Sequence, residues 1–279
     1  MLARLRDAGV GAAIGTASPG EGHALSPDET ERLYGIAKEV LGGHVPVRAM
    51  GAEPRSPEEL LRTVRIAESV GLDAMQLYSL DLGHASRPSG PELERYFRVL
   101  LEGMSIPAVI SSHHFSGYVV PLDLLEKLFA DYPHLIGIHC TTSDLGYLAR
   151  LIELASGRAD VHTGGPLLAP VALALGGQGF LSTEAFFIPK SAASMISSFN
   201  AGDLAGMHSA YRELMRLFCA NQWPGGSIRF TKAAMHVLGF EGWHLRSPYL
   251  PLPDDELPKV RAALAAASVA ELDQLLLAS

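Results

Sequence analysis

Seven times along this chain a short apolar run is followed by a longer stretch of helical period. That alternation constrains the fold more than any other feature. The runs are Gly11–Thr16, Val45–Met50, Ala74–Ser79, Pro107–Ser112, Leu135–Cys140, Asp160–Thr163 and Gly179–Thr183. Runs of this length bounded by turn residues read as buried strands, and strands alternating with amphipathic helices imply a parallel sheet with crossover helices. Two helix starts are marked plainly. Ser26-Pro27-Asp28-Glu29 and Ser56-Pro57-Glu58-Glu59 each place a Ser cap, a Pro at the first helical position and a Glu that closes a capping box. The second of these helices ends at Gly71, just before the run at Ala74. The closest closed form for seven such units is an α/β barrel of the eight-stranded TIM type. After Thr183 the pattern becomes helical only, over Lys190–Asn200, Asp203–Asn221, Gly226–Leu238 and Asp254–Ser279. The expected organisation is a barrel over 1–188 and a C-terminal helical extension over 189–279 that closes and flanks it.

Composition fits an enzyme-like globular chain. Of the 279 residues 48% are hydrophobic and 19% charged, so a substantial core can be buried. The net charge is −8 with no Lys/Arg run, which argues against a nucleic acid or an anionic membrane as partner. No run of about 18 apolar residues predicts a membrane span, and the start MLARLRDAGVG has no apolar leader core. The two cysteines, Cys140 and Cys219, are too few for a disulfide framework. A cytoplasmic protein is the expectation.

Several segments resemble the dihydrodipicolinate synthase / N-acetylneuraminate lyase family, in order and over nearly the whole chain. Gly15-Thr16-Ala17-Ser18-Pro19-Gly20-Glu21 resembles its GTTGE turn with two residues inserted, and Leu25-Ser26-Pro27-Asp28-Glu29 its LSxEE. Ile106–Ile110 resembles the LPVILYN strand, Leu135–His139 sits where the family has VGIK, and Ser143-Asp144 matches the (G/S)D that follows. Gly179–Thr183 resembles GVISV. The best match is Lys232-Ala233-Ala234-Met235, Leu238-Gly239, Arg246-Ser247-Pro248 and Leu250–Pro253, set against VKAAL..LG....R.PL.PL. The resemblance implies a TIM barrel with a helical C-terminal extension, a homodimer or homotetramer, and lyase chemistry on oxo acids through a lysine Schiff base.

The departures fall where that chemistry would occur. His139 stands at the imine-forming lysine, Ser111 at the tyrosine that ends the fifth family strand, Ala17 at the second threonine of GTTGE, and Ser116 or a neighbour at the carboxylate-holding arginine. Gly164-Gly165-Pro166 replaces acidic residues after the seventh family strand. The first family strand has no counterpart: Met1 falls inside what looks like the first helix. An unpaired edge would result, leaving three alternatives: an incomplete start, a neighbouring segment in the gap, or a distorted barrel.

Imidazole does not form a stable imine with a ketone, and none of the five lysines falls on a predicted strand. Residues two apart on a strand share a face, and such barrels react at the C-terminal strand ends. If His139 points inward like the lysine it replaces, the expected catalytic set is His139 as acid or base, Glu184 as its partner and Ser111 as a hydrogen-bond donor. Thr16, His113, His162, Gly164 and Ser182 are expected to bind substrate. Three His and a Glu suit zinc chemically, but they come from separate strands with no local ligand spacing, so neither a metal nor another cofactor is expected. The function this implies is an enzyme acting on a small carbonyl or oxo-acid-derived metabolite without a Schiff base, by His/Glu acid–base chemistry. The alternative is a non-catalytic paralogue that senses a ligand or acts as a scaffold subunit.

Overall fold

The computed structural model describes residues 1–81, 83, 87–115, 119–223 and 226–279. Seven strands, all parallel, follow one another in chain order around a nearly closed barrel: β1 (Ala12–Ile14), β2 (Val47–Ala49), β3 (Ala74–Leu77), β4 (Ala108–His113), β5 (Leu135–Thr141), β6 (Asp160–Gly164) and β7 (Gly179–Leu181). Helices alternate with them: α1 (Leu2–Asp7) before β1, then α2 (Pro27–Leu41), α3 (Pro57–Val70), α4 (Gly90–Glu102), α5 (Leu122–Asp131), α6 (Leu145–Ala155) and α7 (Ala169–Ala174) in the crossovers. After β7 come α8 (Glu184–Phe187), α9 (Pro189–Asn200), α10 (Leu204–Ala220), α11 (Ser227–Val237), α12 (Leu257–Ala266) and α13 (Ala270–Ala278). No helix among the described residues is long and apolar enough to cross a membrane.

Strand period two divides the barrel into a dry outside and a polar inside. Val47, Ala49, Met75, Leu77, Ile110 and Ile138 are fully buried against the apolar stripes of α2 to α6, for example Tyr34, Val64, Phe97, Leu125 and Leu151. Each such side chain contributes about 1.5–3 kcal/mol on burial. The residues between them must face the barrel axis. That inner set is Arg48, Gln76, Ser111, His139 and His162, with alanine, valine or glycine at several other inward positions. A second apolar cluster joins α8 to α13, with Phe187, Met195, Leu214, Phe230, Val260 and Leu264 buried together.

Local signals explain most helix ends. Ser26 Oγ accepts from Glu29 N–H at 3.2 Å while Ser26 N–H donates to Glu29 Oε2 at 2.9 Å, a complete capping box. At Ser56 only half of the expected box forms: Ser56 Oγ accepts from Glu59 N–H at 3.3 Å, but the Glu59 carboxylate takes the Arg55 N–H instead, at 2.8 Å. The tail, expected to be mostly helical over 254–279, is helical with one break. It is a short 3-10 turn at Asp254–Glu256 and then α12 and α13, broken where Ser268 enters the left-handed region at φ 49°. The donor that stabilises the break comes from another element. Arg216 of α10 donates from Nε to the Ala267 carbonyl at 2.5 Å and from Nη2 to the Ser268 carbonyl at 3.0 Å.

The seam lies between β1 and β7, the two edges of the sheet. No strand fills it among the described residues. α1 ties its two sides together: Leu5 packs into the cluster outside β1 and β2, while Arg4 Nη2 donates to the Phe187 carbonyl at 2.9 Å and pairs with Glu271 at 3.0 Å.

Candidate active site at the strand ends

His139 sits in the middle of the polar interior. Its register partners are Ser111 on β4 and His162 on β6, so these three side chains stand side by side on the inner face. His139 is 6% exposed and Ser111 1%. Gln76 Nε2 lies 3.2 Å from His139 Nδ1. With the amide in this orientation Nδ1 accepts, and the neutral ring carries its proton on Nε2. That Nε2 has no hydrogen-bond partner, and neither have Ser111 Oγ, Gln76 Oε1, Thr141 Oγ1 and His162 Nδ1. Buried polar atoms are normally paired, so a cluster of unpaired ones marks a place prepared for something that is not protein.

Electrostatics holds the imidazoles neutral. Burial first, then the positive charge of Arg48 and the neighbouring His113 and His162, push the His139 pKa well below its ordinary value. His162 is lowered by burial and by Arg48, against the opposing pull of Asp160. His113 is lowered by burial, which outweighs the Glu53 carboxylate. Tyr78, two residues beyond Gln76 on the same face, is buried and hydrogen-bonded with the side chains of Thr16 and Gln76. Burial raises its phenol far above the ordinary range, so it remains protonated.

Thr16 acts on the Tyr78 phenol, and its Oγ1 donates to the Ser18 carbonyl at 3.1 Å. Its loop is tightly made: a Cβ at Gly22 would collide with the Gly15 carbonyl, and the Gly22 N–H donates to the Thr16 carbonyl at 2.9 Å. Glu21 anchors the loop to the C-terminal helices. It accepts from the Arg246 N–H at 2.6 Å and pairs with Lys232 at 3.0 Å. Burial alone would raise the Glu21 carboxyl, but these donors and cations bring it below its ordinary value.

Glu184 and Ser182 lie elsewhere in the hydrogen-bond network. Glu184 does not continue β7 but opens α8. Ser182 Oγ donates to Glu184 Oε2 at 2.6 Å, and Nδ2 of Asn221, the residue that ends α10, donates to Oε1 at 3.3 Å. These bonds face the helical layer, and the hydrogen bond of His139 is to Gln76, not to Glu184. Gly164 serves Thr141: a Cβ there would collide with Thr141 Oγ1. Ser116, expected near the position of the family's arginine, lies outside the described residues. Among the described residues no three His, Cys, Asp or Glu side chains converge as a metal site. None of the five lysines lies on a strand, and Lys232 is held by Glu21.

Three inward residues escaped the reading of the sequence: Arg48, Gln76 and Tyr78. Their signal was present. Arg48 and Gln76 are lone polar residues inside apolar runs, and each lies between two neighbours that face the helices.

Comparisons with known proteins agree with this architecture. The model of the dihydrodipicolinate synthetase family matches residues 4–267. A 4-hydroxy-tetrahydrodipicolinate synthase of Methanoculleus marisnigri is 30% identical over 258 residues, covering 92% of this chain and 86% of that protein. The corresponding enzyme of Methanospirillum hungatei is 28% identical, covering 88% and 83%. Among solved structures, dihydrodipicolinate synthase from Thermotoga maritima superposes with a TM-score of 0.85 at 24% identity, covering 95% of this chain and 90% of that one. YagE, a prophage protein of that family from E. coli K12 solved with pyruvate, gives 0.87 at 20% identity, covering 96% and 91%. At those identities the structures speak for the fold alone. With the family match running from α1 to the end of α12, the chain belongs to the dihydrodipicolinate synthetase family.

Proposed function

We propose that this chain is a lyase-type enzyme that acts on a small carbonyl compound or oxo acid without forming a lysine imine. The observation that carries the reading is His139: an inward, buried, neutral imidazole with its Nε2 unpaired, on a barrel whose strands bear no lysine. A neutral imidazole that carries its proton on Nε2 can donate to a carbonyl oxygen and polarise it, as a neutral histidine does in other barrel enzymes. The imidazole then stabilises the enolate formed when the α-proton passes to a neighbouring base, for which the unpaired Nδ1 of the neutral His162 is the candidate. Ser111 Oγ, its unpaired neighbour, is a second donor. Glu184 acts at a distance: its carboxylate is taken up by Ser182 and Asn221, and it holds β7 to α10. His113, His162 and Gly164 shape the rim and inner wall around the substrate.

The relatives are named 4-hydroxy-tetrahydrodipicolinate synthases, and YagE was solved with pyruvate. Both names support a small oxo acid as the substrate class. Mixing the protein with pyruvate and borohydride should leave its mass unchanged. Proton NMR in heavy water should show methyl exchange of a 2-oxo acid that His139→Asn abolishes. A stoichiometric adduct on any lysine overturns the imine-free mechanism. No exchange with any oxo acid, together with intact ligand binding, favours the non-catalytic paralogue.

The chain assembles as a homodimer or homotetramer in this reading. Phe115 (69% exposed), Leu145 (49%) and Leu167 (53%) follow the adjacent strands β4, β5 and β6, and a second copy would cover them. Light scattering that returns a mass near 30 kDa at micromolar concentration overturns this clause.

A further inference from the structure

Arg48 is the one fully charged group that β2 turns into the barrel. Val47 and Ala49 on either side of it are completely buried on the helix side, so strand alternation sends Arg48 inward. Its register neighbours are Ala13 on β1 and Ala74 on β3. Small side chains on both flanks leave the long arginine room to extend along the interior. Its charge is felt by His139 and His162 on β5 and β6, several strands away around the barrel. Arg48 is partly buried, its Nε has no partner, and among the described residues it makes no ion pair.

A buried cation without a counter-ion is costly, and proteins keep such groups paired or put them to use. The surroundings of Arg48 add the Ser111 hydroxyl as a donor, while the Glu53 carboxylate acts on His113 and Tyr78 and the Asp160 carboxylate on His162. Ser111 is buried with its hydroxyl unpaired, Gln76 is buried with its acceptor Oε1 unpaired, and the imidazoles of His139 and His162 are neutral. One positive charge, two neutral imidazoles and an unpaired hydroxyl make a receptor for a small anion. A guanidinium matches a carboxylate with two parallel N–H···O bonds.

We propose that Arg48 is the anion anchor of this site: a small carboxylate binds inside the barrel on the Arg48 guanidinium, with Ser111 as a further donor, and its carbonyl is thereby presented to His139. This rests on the oxo-acid reading for the identity of the substrate, but the anion site can be tested without turnover. It assigns the carboxylate of the ligand to the barrel floor side of His139, on β2, a strand that contributed none of the residues expected from the sequence.

Calorimetric titration with pyruvate, with its uncharged amide pyruvamide and with inorganic phosphate tests the proposal. Pyruvate should bind at least about tenfold more tightly than pyruvamide, and phosphate more weakly than pyruvate. Arg48→Gln and Arg48→Met should both abolish the preference for pyruvate over pyruvamide, whereas Arg48→Lys should retain part of it. In the ligand-free protein the two neutral variants should melt no lower than the wild type, because an uncompensated charge has been removed. Equal binding of pyruvate and pyruvamide overturns the proposal. So does unchanged discrimination in Arg48→Gln, tighter binding of phosphate than of pyruvate, or a large fall in melting temperature in both neutral variants. Failure of the catalytic reading looks different. If His139→Asn and the wild type are equally silent in proton exchange while the carboxylate preference persists and depends on Arg48, the anion site stands and the lyase reading falls.

Discussion

The barrel interior and the C-terminal helical layer put most of their polar groups to different uses. In the helical layer most are used up on structure: Glu184 accepts from Ser182 and Asn221, Ser191 donates to Glu213 at 2.6 Å, and Arg216 covers two carbonyls at the break before α13, while Asn221 Oδ1 and Thr231 Oγ1 stay unpaired. Inside the barrel Gln76 Oε1, Ser111 Oγ, His139 Nε2, Thr141 Oγ1 and His162 Nδ1 are left unpaired. Each unpaired buried group costs about 1–3 kcal/mol, so one region is arranged for stability and the other holds donors in reserve for a ligand. Glu184 and His139 illustrate the difference. Both are buried and titratable, yet only His139 has an atom free to meet a substrate in this network.

The contrast can be broken by substitution. Phe230 is fully buried in the helical cluster, and Phe230→Ala should cost about 3–5 kcal/mol, read as a large loss of melting temperature with denaturant curves to match. Ser111→Ala, equally buried, should leave the melting temperature unchanged or higher, because its hydroxyl has no partner to lose. If Ser111→Ala destabilises as Phe230→Ala does, the interior is structural after all. Next in size is His139→Asn. It should lower turnover by at least about tenfold, within the range of about 10² to 10⁴ usual for acid–base groups, with little change in melting temperature. A variant that retains full activity with the assigned substrate removes His139 from the mechanism.

Glu184→Ala sharpens the comparison from the other side. It strips Ser182 and Asn221 of their acceptor and should cost about 1–3 kcal/mol of stability. Any activity loss should follow the fraction of folded protein. A selective loss of turnover in fully folded Glu184→Gln would restore Glu184 to the catalytic set. Acidification should produce a smaller effect. The pKa values of His113, His139 and His162 lie below the ordinary 6.5 in the folded chain, so the unfolded chain takes up protons first as pH falls through about 6.5. Their contribution is complete above that pH and is lost as pH falls toward the folded values. Melting temperature should therefore decline between about pH 7.5 and 5.5, and the slope should flatten when His139 and His162 are both replaced by Gln. Smallest is Ser26→Ala at the start of α2, about 1 kcal/mol, far from both regions and without effect on binding.

The strands, their order and the family could be read from the chain because they follow local rules. A buried parallel strand is a short apolar run, a crossover helix has its own period, and the motifs from Gly15 to Pro253 keep their order. Period two also determined that His139, Ser111 and His162 would share a face once the strands were paired. What the tertiary structure decided is which of those polar atoms find partners. Glu184 turned into α8 and met Asn221, 37 positions further on. Where the helical tail breaks at Ser268, the donors to its carbonyls come from Arg216, remote in sequence. Arg48 is one residue in an apolar run until the barrel curls, which brings its charge to histidines on strands far from its own. A run of residues encodes its own period, but pairing across a barrel depends on curvature and on side chains contributed by distant segments, and no local window contains that information.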